Sequence, residues 1–396
     1  RSRIVMSSMN TTIKSVAKGI RNELRNAKGK KLQGKYLVIE SDDWGSIRQP
    51  SLEIYQKQVE RAGREIKDPF FRFDAVEQDE DLEELFTVLE RHRDSYGNPA
   101  VITADYAVAN PDFDKIRKSK FGEYFYESIA TTYREYSGSA NALNLARQGI
   151  KKRIWKPQLH CREHVQISRW MDALRKNDPE IRWAFEHGMI STENAIAPLN
   201  HYGYMDAFNY SCDESKGIDQ IVADAATEFQ KLFGYHSNTF VASCYVWNEC
   251  LEKALRKQGV FSMQGSWYQW IPDEDTKGRL EKRKLHMGMR SQYQFYTVRN
   301  CLFEPALFDS IDNVSTCIRQ IESAYRWGQP AIISSHRVNY MSRIDQNNRE
   351  KHIELLDDLL TEILNRWPDV AFISSDQLAN LYREKKDNEE GNRSRQ

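Results

Sequence analysis

Short apolar runs recur along this chain, each followed by a stretch with the apolar spacing of a helix, and that alternation permits few folds. The runs are Tyr36–Ile39, Ala100–Ala104, Trp155–His160, Thr239–Ser243, Val260–Met263, Pro330–His336 and Val370–Ser374. Runs of this length without polar alternation read as strands buried on both faces. Between them, Asp79–Leu89 reads as a helix with an acidic first turn, which suits its amino-terminal dipole. Gly217–Phe233 puts Ile218, Ile221, Val222, Ala225, Phe229 and Leu232 on one face. Asn248–Gln258, Asp312–Trp327 and His352–Arg366 read as further helices. Strands alternating with helices make a parallel sheet covered by helices. Seven or eight such units predict an α/β fold, a distorted (β/α) barrel of seven or eight parallel strands, as a single domain over residues 34–384.

Chemistry gathers where three of these runs end. Glu40-Ser41-Asp42-Asp43-Trp44-Gly45-Ser46 follows the first. Adjacent carboxylates cannot both enter a core, and each is costly to desolvate unpaired. At a strand's carboxyl end, where parallel folds do their chemistry, one can hold a cation while the other takes a proton. The plain alternative is an Asp-Asp turn that caps a helix. The third run leads into His160-Cys161-Arg162-Glu163-His164. Histidines four apart on a helix share a face and can reach one ion, and two imidazoles with one carboxylate leave coordination positions open. The sixth run ends at His336, a candidate proton donor or a structural histidine.

In this order the three pieces resemble the polysaccharide deacetylase family of carbohydrate esterases, including its chitooligosaccharide-deacetylase-like members. That family carries an Asp-Asp-Gly-like motif after its first strand, a His-xxx-His motif, an Arg-Pro-Pro-Tyr-like loop and a late Leu-x-His motif. Ser41-Asp42-Asp43 matches the first, His160–His164 the second, and Ile333-Ser334-Ser335-His336 stands where the last belongs. The resemblance implies that Asp43, His160 and His164 hold a divalent metal, zinc before other cations. It makes Asp42 the catalytic base and His336 the proton donor. Two departures mark a divergent branch. Trp44 displaces the expected glycine to Gly45, and Thr239–Trp247 has the strand and Tyr245 of the third motif without its arginine. In the family that arginine orients the catalytic aspartate, and Arg162 is the candidate to replace it. Val298–Pro305 is expected either at a strand exit, with Arg299 and Asn300 facing substrate, or as a turn before a helix starting at Pro305.

Composition bears on partners and place. Lys+Arg and Asp+Glu balance at 57 each, so no nucleic-acid surface is expected. The six cysteines, 161, 212, 244, 250, 301 and 317, form no CxxC pair, which predicts free thiols in a reducing compartment. With no secretory signal at the start, the expected location is the cytoplasm, unless a signal has been removed. Residues 1–33 are basic and read as a helical extension with Ile13, Val16, Ala17, Ile20 and Leu24 on one face. Packing across the barrel is the expected fate of that helix, ahead of contact with a membrane surface. Residues 385–396 read as a disordered tail. Trp267, Tyr268 and Trp270 fall within four positions, and Trp267 is a candidate sugar platform.

The reading is a metal-dependent hydrolase that removes an acetyl group, N-acetyl before O-acetyl, from a sugar or polysaccharide. A backbone N–H near Tyr245 is expected to help hold the oxyanion. One alternative is a barrel glycoside hydrolase, for which Asp105, Glu163 and Glu304 are available as a second carboxylate. The other is a carbohydrate-binding protein of the same fold that has lost catalysis.

Overall fold

The computed structural model describes residues 19, 21–195, 203–212, 217–272 and 280–393, the side chains of 386–393 excepted. Nine parallel strands form the central sheet: β1 (Lys35–Trp44), β2 (Ile102–Ala107), β3 (Trp155–Cys161), β4 (Thr239–Val241), β5 (Ser262–Gly265), β6 (Phe295–Val298), β7 (Cys301–Leu302), β8 (Ala331–His336) and β9 (Val370–Phe372). Their order is β6-β5-β4-β3-β2-β1-β8-β7, and β9 pairs with the start of β1. Eight strands thus curl into the distorted barrel that the sequence predicts. Among the described residues the curl does not close by backbone pairing. β6 and β7 are consecutive in the chain and stand at opposite ends of the order, so Arg299 and Asn300 bridge a seam.

Asn300 does there what a strand ladder would otherwise do. Its Oδ1 accepts from Ile332 N–H at 2.9 Å, while Nδ2 donates to Pro330 C=O at 2.9 Å and to Asn26 Oδ1 at 3.1 Å. Buried and fully engaged, it ties β7 to β8 and to the amino-terminal segment. Its polar atoms are thus spent on the seam, although it also lines the chamber beside the catalytic cavity.

The outer helices include α1 (Asp79–Arg91), α2 (Ala142–Lys152), α3 (Ile167–Arg175), α4 (Ile218–Phe233), α5 (Glu249–Lys257), α6 (Asn313–Arg326), α7 (Gln346–Arg366) and α8 (Ser375–Arg393). Most apolar stripes face the sheet, whereas that of α3 packs in a separate cluster with Ile181, Phe185 and Ile190. On α4, Ile218, Val222, Ala225, Phe229 and Leu232 are buried, whereas Ile221 lies at the margin. Side-chain caps fix several starts: Asn248 accepts from Leu251 N–H, and Asp312 from Ser315 N–H. α7 begins six residues before its expected start, because Asp345 caps it through Asn347 N–H. No helix starts at Pro305, where the chain makes a turn.

Of the expected amino-terminal apolar face, Ile13, Val16, Ala17 and Ile20 lie outside the described residues, and Leu24 is 62% exposed. The helical turn 21–26 nevertheless packs on the barrel. Asn26 donates to Ser323 at 3.1 Å, Glu23 accepts from Trp327 at 2.6 Å, and Lys30 N–H reaches Met287 C=O at 2.8 Å. α8 runs to Arg393, through most of the tail expected to lack regular structure.

The cysteines depart from the sequence reading. Cys212 and Cys250 form a disulfide with Cα atoms 5.9 Å apart, while Cys161, Cys244, Cys301 and Cys317 are free. Spacing alone could not reveal this pair, because 38 positions separate the partners and the fold brings them together. Thiol titration of the denatured, unreduced protein should find four free thiols, rising to six after reduction. Six before reduction would remove the bridge.

Candidate active site

Asp42 and Asp43 are consecutive, and consecutive side chains on a regular strand point to opposite faces. Both line one cavity here because the pairing of β1 with β2 shifts register between Ser41 and Trp44. Such a bulge re-aims a side chain at a strand end. Asp43 adopts φ 76°, a left-handed conformation that costs a non-glycine residue about 1–3 kcal/mol and persists only when its surroundings enforce it. They do so on both sides. Trp44 is fully buried and stacks edge-on against Trp155, with its Nε1 donating to Ser41. Gly45 follows at φ 80°, and a Cβ there would meet Ala107 C=O at 2.6 Å. The glycine that seemed displaced in the motif is thus required one place later.

The cavity, of about 490 Å³, opens at the carboxyl ends of the strands, and its walls bring together Asp42, Asp43, His160, His164 and His336. Asp43, His160 and His164 form a buried group that can hold a metal ion, their ligand atoms all within 4.8 Å of one another. Asp43 Oδ1 lies 3.4 Å from His160 Nε2 and 3.1 Å from His164 Nε2. His160 Nδ1 bonds to Val241 C=O at 2.8 Å, which assigns the proton to that nitrogen and leaves Nε2 as an acceptor. Nε2 is buried and makes no hydrogen bond. A lone pair facing a carboxylate is unfavourable unless a cation lies between them, so the donor set fits a divalent ion. Burial pushes the Asp43 carboxyl upward, but with no ion bound the two histidines, when protonated, and Arg48 outweigh it and hold it well below the usual range. The sequence reading placed the two histidines on a helix. Instead His160 ends β3, His164 lies in the following loop, and α3 starts only at Ile167. The rings meet, with centroids 4.9 Å apart, because the chain turns after the strand.

Asp42 is held by Arg299. Two guanidinium nitrogens donate to its two oxygens, each at 2.6 Å, while Nε donates to Glu40 at 2.6 Å. Arg299 also reaches Asp105 at 3.4 Å, Gln264 at 3.1 Å and Tyr245 Oη at 3.1 Å. A planar fork on a carboxylate fixes its orientation as a lone ammonium cannot. Burial would raise the Asp42 pKa, yet Arg299 and then His336 and His160 hold it below its ordinary value. Asp105, deeper and crowded by Asp42, is driven well up, chiefly by burial. Arg162, the sequence candidate for this role, is elsewhere. It pairs with Glu163 at 2.6 Å and Asp224 at 2.9 Å, over the ring of Tyr126.

The register of β1 on β8 sets Asp42 opposite His336. His336 Nε2 lies 3.7 Å from Asp42 Oδ2, and Nδ1 lies 2.6 Å from Glu304 Oε1. Glu304 is buried and its other oxygen accepts from Asn339 at 2.9 Å. Burial would lower the His336 pKa, but Glu304 and the two aspartates raise it to about 9, so the ring is cationic at neutral pH. A raised folded-state value stabilises the fold fully below the unfolded pKa near 6.5 and loses that contribution as pH rises through about 9. Glu304→Gln should therefore pull the alkaline limb of the pH–rate profile toward neutrality. A limb that does not move would mean that His336 does not set it.

The remaining predicted residues fall outside the cavity or serve it differently. Tyr245 lines the cavity, but its N–H donates to Ala242 C=O at 2.9 Å and is not free for an oxyanion. Trp267 lies in an adjoining chamber, whereas Trp270 lines the cavity itself. Sequence reasoning missed Arg48, which stands 3.3 Å from Asp43 Oδ2 and 3.1 Å from Asp74 and covers the ring of Phe70. It also missed Arg337, fully buried beside His336 and paired with Asp74 and Glu77. Neither has a sequence signature: Asp74, which both contact, comes from a separate segment, and nothing near Arg48 marks its reach back to Asp43.

No family model matches the chain, and no curated protein matches its sequence. Among solved structures, similarity extends to a putative polysaccharide deacetylase from Mycobacterium smegmatis, at TM-score 0.44 and 10% identity, over 90% of this chain and 93% of that one. A CE4 family pseudoenzyme from Bacillus anthracis gives 0.36 and 9%, over 87% and 66%. A 4-alpha-glucanotransferase from Thermococcus litoralis gives 0.42 and 10%, over 90% of this chain but only 40% of that one.

Proposed function

We propose that this chain is a metal-dependent hydrolase removing an acetyl group, N-acetyl before O-acetyl, from a sugar or polysaccharide, as a divergent polysaccharide deacetylase. The observation that carries the reading is one cavity lined by a metal-competent Asp43–His160–His164 group and, beside it, the Asp42–His336 pair. Asp43, His160 and His164 would hold the ion, with zinc the first candidate by its nitrogen and oxygen ligands. Such an ion supplies Lewis acidity, polarising a carbonyl and lowering the pKa of water from about 16 to about 7. Asp42, kept ionised by Arg299, accepts the proton of the attacking water. His336, kept protonated by Glu304, delivers a proton to the departing nitrogen or oxygen. An amine leaves only when protonated, and that need favours the N-acetyl reading.

The carboxylates available to a glycoside hydrolase are committed elsewhere: Glu163 to Arg162, Glu304 to His336, and Asp105 beneath Arg299. Loss of catalysis was suggested by the missing arginine of the third motif, and Arg299 supplies that contact from another strand end. The Cys212–Cys250 bridge favours an oxidising compartment over the cytoplasm. The test is a panel of N- and O-acetylated oligosaccharides assayed for acetate and for new reducing ends. Acetate alone is expected. Reducing ends without acetate would establish a glycoside hydrolase, and neither product would favour a binding protein.

A further inference from the structure

The catalytic cavity has neighbours. Tyr245, Leu307 and His336 form a wall shared with a chamber of about 350 Å³ in the barrel seam. That chamber in turn shares Arg25 and Trp267 with a cleft of about 530 Å³ between the amino-terminal helical turn and the hairpin Tyr268–Pro272/Leu280–Lys284. Three concave spaces therefore lie wall to wall, from the metal-competent group to the surface.

The outermost cleft has a charge pattern unlike the chain as a whole. Lys+Arg and Asp+Glu balance overall, yet among the described residues Arg21, Arg25, Lys28 and Lys284 line this cleft and no acidic residue does. Among the described residues none of the four has a carboxylate within ion-pair distance; the Arg25 guanidinium donates to Tyr268 Oη at 3.1 Å and lies beside the rings of Trp267 and Tyr268. The nearest acid on the same helical turn, Glu23, is turned away to Trp327 and Arg326. Lys282 adds a further cation over the Tyr268 ring at 3.8 Å. The phenol of Tyr268 registers the field: the Arg25 hydrogen bond first, then the charges of Arg25, Lys282 and Lys284, hold it below its ordinary pKa. Like charges gathered without counter-charges repel one another, and an anionic ligand relieves that repulsion. Between the cations lie the aromatic surfaces of Trp267 and Tyr268, of the kind on which pyranose rings stack.

We propose that this cleft is a second carbohydrate site, which binds an anionic stretch of the glycan whose acetylated residue lies in the catalytic cavity. The proposal rests on the hydrolase reading above and deepens it, since it names the substrate class as an acidic polysaccharide bearing carboxylate or phosphate groups. Trp267 then has the role its cluster suggested, at a distance from the reaction. A flat anionic membrane is the competing partner for a basic, partly apolar surface. The concave shape and the wall shared with the chamber that adjoins the catalytic cavity favour a glycan strand.

The test measures binding of a fluorescent, unacetylated oligogalacturonide to the full chain. Wild-type protein should bind it, more weakly as salt rises, and Arg21→Glu combined with Lys284→Glu should weaken binding about tenfold or more, the scale of two exposed contacts turned repulsive. Both side chains are exposed and unpaired, so melting of the variant should match the parent. No binding by the wild type, or equal binding by the variant, would overturn the proposal. So would binding to phosphatidylglycerol vesicles without binding to the oligosaccharide, which would make the partner a membrane. Because the probe carries no acetyl group, its binding and the acetate-release assay fail independently.

Discussion

Asp43→Ala should lose bound metal and activity together, whereas Asp42→Asn should keep the metal and lose turnover by about 10²- to 10⁴-fold. The split follows from where the oxygens point. Asp43 Oδ1 sits within 3.4 Å of both imidazole nitrogens, and removing it leaves two neutral ligands. Both Asp42 oxygens accept from Arg299, one of them lies 3.7 Å from His336, and neither belongs to the group of ligand atoms formed by Asp43, His160 and His164. An amide at position 42 cannot take a proton, and its NH₂ group faces a guanidinium donor, so some stability is lost as well. Metal analysis beside steady-state kinetics decides the matter. Equal metal loss in both variants would refute the division of labour.

Arg299→Met is expected to have the largest effect on folding. It removes the cation from among Glu40, Asp42 and Asp105, all buried, and breaking a buried ion pair costs about 3–5 kcal/mol. Arg299→Lys restores charge without the fork, so it should recover stability more than turnover. Arg162→Met provides the contrast: it strands Glu163 and Asp224 but touches no reacting group, so stability should fall while turnover per folded molecule holds. Denaturant unfolding and kcat on the same preparations separate these cases. A stable, fully active Arg299→Met protein would contradict the assignment.

The groups legible in the sequence are those that end strands. An apolar run followed by a polar side chain marks the carboxyl end of a buried parallel strand, and Asp42, Asp43, His160 and His336 are marked in this way. His164 followed from spacing, though for the wrong local reason, since a loop rather than a helix carries it. What could not be read are contacts made across the barrel. Arg299 lies 257 positions from Asp42, and nothing near either residue announces the pairing. Glu304 presented itself as a spare carboxylate until its 2.6 Å contact with His336 gave it a partner. Asn300 reads as a polar loop residue and proves to be a clasp for an unclosed seam, a role that exists only once the sheet has curled. The Cys212–Cys250 bridge was hidden for the same reason: loops distant in sequence meet only in the folded chain.

The most direct measurement of the central claim follows acetate release from an N-acetylated oligosaccharide through one cycle of metal removal and return. Protein stripped with a chelator should release no acetate, and adding one equivalent of a divalent cation such as zinc should restore release to wild-type protein while leaving Asp43→Ala silent. Acetate release that survives complete stripping, or that returns equally in Asp43→Ala, would contradict the account.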